Sequence, residues 1–147
     1  MEIYEMSVGH EKWGDTADFA EKCGWSAGKV LAEKMRSGDF KGLERVFMAY
    51  EDRKPVGFCT FTERDCLSPK YLYKPFIGFV FVAKEYRGQR ISEQMIETVR
   101  HYARINGYGR VYVMSGEKGL YEKFGFTKIG NYETTHGTVE QLFVIAS

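Results

Sequence analysis

The spacing of apolar residues predicts two helices near the N-terminus, after a short apolar start. The first helix is expected to be capped by Asp15 or Thr16 and to end at Gly24, where glycine suits a left-handed stop. The second is expected to be capped by Ser26 and to end at Gly38, because apolar residues between these positions recur every three or four residues. Together they are predicted to form a helical hairpin.

From Leu43 onward the apolar period shortens to two, which is typical of strands. Residues 45–50 and 56–62 are predicted to pair as antiparallel strands across a tight turn. Phe76–Val82 is apolar on both faces, as expected of a strand covered by helices on each side. We therefore expect Phe76–Val82 to lie in the middle of a sheet.

Helical and strand patterns then alternate. An apolar stripe over residues 91–103 predicts a helix, and residues 110–114 read as the next strand, so this part forms a βαβ unit with parallel strands. A short helix over residues 118–124 and two strands, over 126–129 and 138–146, complete the pattern, and the last strand is apolar enough to be internal. The order predicts an α/β fold, a mixed sheet with helices on both faces.

The composition is that of a globular protein: of 147 residues, 44% are hydrophobic and 28% charged. A net charge of +1 provides no polybasic surface for nucleic acid or an anionic membrane, and no segment reaches the ~20 apolar residues of a membrane span. Three cysteines without a Cys-x-x-Cys pair favour a reducing compartment. We expect a single cytoplasmic domain over residues 1–147, without a nucleic-acid or membrane partner.

The loop between the central strand and the next helix carries the most informative motif. A loop that opens a helix presents unpaired backbone N–H groups and the positive end of the helix dipole, which suit a phosphate, and Lys84 adds charge nearby. The alternative is an ordinary solvated turn. The sequence contains no Walker nucleotide-binding loop, and its nearest match is Gly28-Lys29. It also contains no dinucleotide-binding fingerprint, and its nearest match is Gly107-x-Gly109. The residues of the loop are Arg87, Gly88, Gln89, Arg90, Ile91 and Ser92.

This loop resembles the acetyl-CoA signature of the GNAT superfamily of N-acetyltransferases, Gln/Arg-x-x-Gly-x-Gly/Ala. Arg87 matches the first position and Ser92 is small at the last, whereas Arg90 replaces the middle glycine. Residues 120–126, Leu-Tyr-Glu-Lys-Phe-Gly-Phe, match a second family segment, Leu-Tyr-x-x-x-Gly-Phe, completely. The resemblance extends over roughly residues 44–146.

The resemblance implies a GNAT-type fold, a mostly antiparallel sheet whose parallel fourth and fifth strands splay apart around the pantetheine arm of acetyl-CoA. These strands would be Phe76–Val82 and residues 110–114. Backbone groups near Phe81 and Val82 would pair with the pantetheine amides, and the amides of residues 87–92 would hold the pyrophosphate. Acetyl-CoA is therefore the expected co-substrate. The protein is expected to be a monomer or a homodimer.

Transfer of acetyl to an amine needs a base for the amine and an acid for the departing sulfur. The resemblance implies that Tyr121 is the general acid. A phenol has a pKa of roughly 10, so it is protonated at neutral pH and could give its proton to sulfur. Phe76–Val82 contains no carboxylate, so Glu63, Asp65 and Glu117 are the candidate bases. No metal is predicted, because the histidines lack ligand spacing.

The sequence thus predicts an N-acetyltransferase that acts on a primary amine of a small molecule or peptide by direct attack in a ternary complex. The N-terminal helices and the loops at residues 65–75 and 132–137 are expected to form the acceptor pocket. Residues 66–147 carry 11 Lys and Arg against 7 Asp and Glu, whereas residues 1–65 carry 10 against 13. We expect the positive part to meet the CoA phosphates and the negative helices to surround the amine. A non-catalytic acyl-CoA sensor and, less favoured, a nucleotide-binding protein remain as alternatives.

Overall fold

A seven-stranded mixed sheet forms the centre of the computed structural model, which describes residues 1–147. The elements in chain order are β1 (Glu2–Met6), α1 (Trp13–Lys22), α2 (Ser26–Arg36), β2 (Arg45–Glu51), β3 (Lys54–Thr62), β4 (Phe76–Val82), a 3-10 turn (Lys84–Tyr86), α3 (Ile91–Ile105), β5 (Arg110–Ser115), α4 (Leu120–Lys123), β6 (Thr127–Glu133) and β7 (Val139–Ala146). The strand order is β1-β2-β3-β4-β5-β7-β6, and only β4 and β5 are parallel neighbours. The predicted α/β class, with β4 central and β7 internal, is confirmed.

The apolar pattern does not predict the first strand. β1 pairs antiparallel with β2, from Glu2 opposite Tyr50 to Met6 opposite Val46. Met6 is its only fully buried residue, so the segment shows no clear alternation of apolar and polar positions. The ladder of hydrogen bonds to β2 therefore makes this segment a strand.

The N-terminal hairpin is present, but its predicted caps are wrong. Asp15, Thr16 and Ser26 lie within α1 and α2, and neither helix has a side-chain cap. The indole N–H of Trp13 donates a hydrogen bond to Met35 O at 2.9 Å, which ties the first turn of α1 to the end of α2. Tertiary packing, rather than local capping, thus sets where α1 begins.

Apolar clusters lie on both faces of the sheet, where helices were predicted. On one face, Met95, Ile96 and Val99 of α3 are fully buried against the sheet. On the other, Leu31 and Met35 of α2 pack in a second core together with α1. No helix combines the length and the apolar content needed to cross a bilayer.

A bulge in β4 opens the sheet beside β5. The register between β3 and β4 shifts between Phe58 and Thr60, and Phe79 adopts a left-handed φ of 49°. β4 and β5 share a single paired position, Phe76 opposite Tyr112, before they separate. The parallel strands therefore splay apart toward their C-terminal ends, which leaves the backbone edges of both unpaired.

Candidate active site

A cavity of about 720 Å³ lies along the end of β4, where this strand has separated from β5. Its walls come from the end of β4, the following loop, the start of α3, the α1–α2 turn and the start of α4. Lys84, Arg87 and Arg90 line it, and Glu117 is the only acidic residue that does so. The cavity therefore has the size and charge for a phosphorylated molecule with an extended arm.

The N-terminus of α3 opens into this cavity without a capping side chain. The first intrahelical bond runs from Gln94 N–H to Arg90 O at 3.0 Å, so the N–H groups of Ile91, Ser92 and Glu93 have no acceptor within the helix. These groups and the helix dipole together favour a bound phosphate. The backbone at the start of α3 therefore presents the free N–H groups that a phosphate-binding loop needs.

Arg90 adopts the conformation that a glycine would otherwise supply. Its φ of 63° at the N-cap of α3 is left-handed, which costs an L-residue with a side chain roughly 1–2 kcal/mol. The side chain is 83% exposed and its ion pair with Glu93 is long, at 3.7 Å. Arg90 thus holds a turn that a glycine would adopt without strain, and it adds a guanidinium at the rim of the cavity.

Most of the predicted cofactor-binding residues line this cavity: Phe81, Val82, Arg87, Gly88, Arg90, Ile91 and Ser92. Gln89 is exposed and does not line it, because the loop turns at Gly88 with a φ of 83°. The role expected of Gln89 belongs to its backbone amide, and it stays a prediction.

The backbone of Val82, rather than that of Phe81, faces the gap. Phe81 O lies 2.7 Å from the position that a Cβ on Gly57 would occupy, which places this carbonyl against β3. Strand carbonyls alternate in direction, so Val82 O points toward β5, and Arg87 Nε–H donates a hydrogen bond to it at 2.9 Å. Phe81 contributes its ring to the cavity wall, where the Arg87 guanidinium lies 5.9 Å from the ring centroid.

A second cavity, of about 310 Å³, adjoins the first. The two share four lining residues, Trp25, Val80, Glu117 and Tyr121. The second is lined by the bulged part of β4, the end of β5, Asp65 and Glu140, and it contains no Lys, Arg or His. A molecule in the first cavity would therefore meet one in the second beside Tyr121.

Tyr121 is positioned to hold a proton where the two cavities meet. It belongs to α4, is only 5% exposed and packs its ring against Phe124, Phe126 and Phe143. Burial raises the pKa of Tyr121 above its usual value, and the negative charges of Glu117 and Asp65 raise it further. The phenol therefore stays protonated across the physiological pH range.

The three candidate bases lie in different places. Glu63 accepts a hydrogen bond from Lys74 Nζ at 3.0 Å on the exposed surface and lines neither cavity, so it is outside the site. Glu117 lines both cavities, and its backbone is held by Ser115 Oγ and by Gln141. Asp65 is part-buried in the second cavity. Only Asp65 and Glu117 are therefore placed near Tyr121.

The pKa of Asp65 is raised to about 6, mainly by burial and also by the negative charge of Glu140, while a hydrogen bond with the Cys66 backbone and the charge of Lys34 act in the opposite direction. The carboxyl group packs over Gly78, where the position of a Cβ would be 3.2 Å from Asp65 Oδ2 and 3.1 Å from Thr60 Oγ1. The Thr60 hydroxyl is buried and has no hydrogen-bond partner in the protein. Gly78 thus makes room for two polar side chains beneath the second cavity.

Two residues of the site are missed by the sequence analysis, Trp25 and Glu140. Trp25 stacks on Phe81, with ring centroids 5.8 Å apart, and lines both cavities. Glu140 is an acidic residue inside the largely apolar strand β7, and this break in the pattern was the available signal. Trp25 had no such signal, because its role depends on the α1–α2 turn reaching the bulge of β4.

The lining of the second cavity differs from the predicted acceptor pocket in two respects. No residue of the loop at 132–137 lines the second cavity, and the N-terminal helices contribute Trp25 from their turn and no charged group. Arg36 instead pairs with Asp18 and Glu21 on the outer surface of these helices. The acidic groups of the cavity come from the loop after β3, the segment after β5 and β7.

The splayed sheet, the uncapped basic helix start and the buried phenol define an acyltransferase of the acyl-CoA-dependent class. The sequence profile of the GNAT acetyltransferase domain matches residues 42–128, more than half of the chain, and the chain belongs to this family. The resemblance seen in the sequence is confirmed, and the protein is an acetyl-CoA-dependent acetyltransferase.

Solved structures agree on the fold. An aminoglycoside 6'-N-acetyltransferase complexed with coenzyme A is 14% identical, with a TM-score of 0.75, and the match covers 99% of this chain and 97% of that one. An aminoglycoside 6'-N-acetyltransferase from Enterococcus faecium is 13% identical, with a TM-score of 0.74 and coverage of 99% and 97%. A GNAT acetyltransferase from Elizabethkingia anophelis with acetyl-CoA bound is 16% identical, with a TM-score of 0.68 and coverage of 99% and 97%. No curated protein sequence shows a significant match.

Proposed function

We propose that the protein transfers the acetyl group of acetyl-CoA to a primary amine by direct attack, with Asp65 as general base and Tyr121 as general acid. One observation carries the proposal: the buried phenol of Tyr121 lies between a basic cavity and an acidic one that contains Asp65. The basic cavity suits the phosphates of CoA, and the acidic cavity suits an amine.

The residues that would hold acetyl-CoA lie along the first cavity. The free N–H groups of Ile91 and Ser92, with Arg87 and Arg90, would bind the pyrophosphate, and the unpaired edge of β4 at Val82 would bind the pantetheine amides. The bound thioester supplies the activated acetyl group. For the Val82 carbonyl to pair with an amide, the hydrogen bond from Arg87 must first be released.

The proposed reaction balances without a metal or a covalent enzyme intermediate. The amine nitrogen forms a bond to the carbonyl carbon and the bond from that carbon to sulfur breaks. Asp65, with a pKa of about 6, is ionised at neutral pH and accepts the proton released by the amine. Tyr121, protonated at this pH, donates its proton to the departing sulfur.

The acceptor class rests on the second cavity and on the structural neighbours. Two of the neighbours are aminoglycoside N-acetyltransferases, which act on amino groups of small molecules. At 14% and 13% identity, they support an amine-bearing small molecule without naming the compound. A cavity of about 310 Å³ favours a small amine, or a single amino group of a larger one, over a folded protein surface.

Release of free CoA thiol from acetyl-CoA across a panel of amines tests the proposal. We expect amine-dependent release in the wild type, and losses of about 10²-fold or more in kcat for Tyr121→Phe and Asp65→Asn, the size typical of general acid and base groups. Glu63→Gln is the matched carboxylate control and should keep wild-type kcat. CoA binding without amine-dependent release, unchanged in Tyr121→Phe, would instead support the non-catalytic sensor.

A further inference from the structure

The second cavity, where the acceptor amine is proposed to bind, carries more negative charge than a single reacting amine needs. Asp65, Glu117 and Glu140 line it and no basic side chain does. None of the three forms an ion pair within the protein, although nine ion pairs exist elsewhere. One carboxylate suffices to accept the amine proton, so two negative charges are left without a role in the transfer step.

Lys34 acts on Asp65 through its charge and lowers the pKa of that carboxyl, but it pairs with Asp39 at 3.9 Å and does not line the cavity. Lys74 pairs with Glu63 at 3.0 Å and Lys70 pairs with Glu133 at 2.7 Å, both on the exposed surface. Glu63 and Glu133 on the surface thus pair with the two lysines of the loop after β3. Asp65, Glu117 and Glu140 form no such pair, so they are free to bind the positive charge of a ligand.

The three carboxylates surround the cavity rather than forming one tight cluster. No three His, Cys, Asp or Glu side chains lie close enough to share a metal ion. Glu117 lies at the boundary with the first cavity, whereas Asp65 and Glu140 line the second cavity only and interact through their charges. Separated carboxylates suit separated ammonium groups better than they suit one compact cation.

The remaining walls also favour a cation with polar contacts. Trp25 and Phe79 present aromatic rings 6.4 Å apart in an edge-to-face arrangement, and aromatic faces attract ammonium groups. The unpartnered hydroxyl of Thr60 is 1% exposed and lies beneath Gly78, next to the Asp65 carboxyl group. Thr60 does not line the cavity, so its hydroxyl adds a polar group beside the Asp65 carboxyl and makes no ligand contact of its own.

We propose that the acceptor is a diamine or polyamine: one amino group reacts beside Tyr121 and Asp65, and a second, protonated amino group is bound by Glu140. This proposal rests on the proposed function. It also predicts which amines are rejected. A carboxylate on the acceptor would meet three like charges in a partly desolvated cavity, so amino acids are poor acceptors.

Three acceptors with the same four-carbon chain test the proposal: 1,4-diaminobutane, n-butylamine and 4-aminobutyrate. They end in a cation, a methyl group and a carboxylate. We expect kcat/KM to be about 10- to 100-fold higher for the diamine than for butylamine, the range for one hydrogen bond between charged groups, and lowest for 4-aminobutyrate. Added salt should reduce the difference between diamine and butylamine.

Glu140→Gln keeps the shape of the cavity wall and removes one charge. It should reduce the ratio of diamine to butylamine by about tenfold, the equivalent of ~1.4 kcal/mol. Glu133→Gln is the matched control, because Glu133 pairs with Lys70 at the surface and lines neither cavity. This control should leave the ratio unchanged.

Calorimetry with the same three compounds on the CoA-bound protein measures the preference without turnover. Equal affinity and equal kcat/KM for the diamine and butylamine would overturn the diamine proposal while leaving the transferase intact. Preferential diamine binding that depends on Glu140, with no amine-dependent thiol release, would support the diamine site and overturn the proposed catalytic roles.

Discussion

The carboxyl group of Asp65 rests on Gly78, with Oδ2 3.2 Å from the position that a Cβ on Gly78 would occupy. Gly78 lies on β4 just before the bulge, and it pairs across the sheet with Thr60. The absence of a side chain at position 78 therefore sets where Asp65 lies relative to Tyr121. This relationship joins the geometry of the sheet to the chemistry of the site.

Gly78→Ala is expected to reduce catalysis more than stability. The added methyl group would press on Thr60 Oγ1 and Asp65 Oδ2, at 3.1 and 3.2 Å, so that both side chains must shift. A displaced base should lower kcat by about tenfold or more, since small errors in position are costly in catalysis. Gly109→Ala, where a Cβ meets no atom within 4 Å, is the control. Steady-state kinetics and thermal unfolding of both variants measure the two effects.

The rate should depend on pH through Asp65. Burial raises the pKa of this carboxyl to about 6, so kcat at saturating acceptor should fall about tenfold per pH unit below pH 6 and level off above it. Glu140→Gln should move this limb to lower pH, because the charge of Glu140 contributes to the raised pKa. A limb that stays unchanged in Asp65→Asn would assign the titration to another group.

The same group should make the folded protein less stable as pH rises. The pKa of Asp65 is about 6 in the folded state against 3.8 as the ordinary value, so the folded state binds this proton more tightly. Its contribution to stability is fully present below about pH 4 and is lost as pH rises through 6.

Asp65→Asn removes this ionisation, and we expect the variant to be more stable than the wild type at pH 7.5 by ~1–3 kcal/mol. Urea unfolding at pH 4.5 and 7.5 measures the change. The difference between variant and wild type should be larger at pH 7.5, and the reverse order would contradict the assigned pKa direction.

Arg90→Gly is expected to separate backbone strain from side-chain charge. Glycine accepts the φ of 63° freely, so the variant should be more stable by about 1 kcal/mol. Loss of the guanidinium should raise the KM for acetyl-CoA severalfold, because Arg90 lines the first cavity, where the CoA phosphates are proposed to bind. Arg87→Ala, with φ of −71° at the changed position, should raise KM without the gain in stability.

Glu63 and Asp65 show where prediction from the sequence reaches its limit. They are two residues apart at the end of β3, and no local pattern distinguishes them as bases. The chain turns after Thr62 so that Glu63 meets Lys74 on the surface, while Asp65 returns over Gly78. The difference arises from contacts with β4, which no pattern near residues 63–65 encodes.

Features that are local in the chain could be predicted from the sequence. Phe76–Val82, the loop at residues 87–92 and the segment at 120–126 are contiguous, so their apolar spacing and motif residues predict the strand, the turn that opens α3 and the motif position of Tyr121. The tertiary structure was needed to show that one cavity is lined by Trp25, Asp65, Glu117 and Glu140. These residues are far apart in sequence, and the bulge in β4 and its divergence from β5 create the space that they share. Such a cavity depends on how the whole sheet pairs, which is a property of contacts between distant segments.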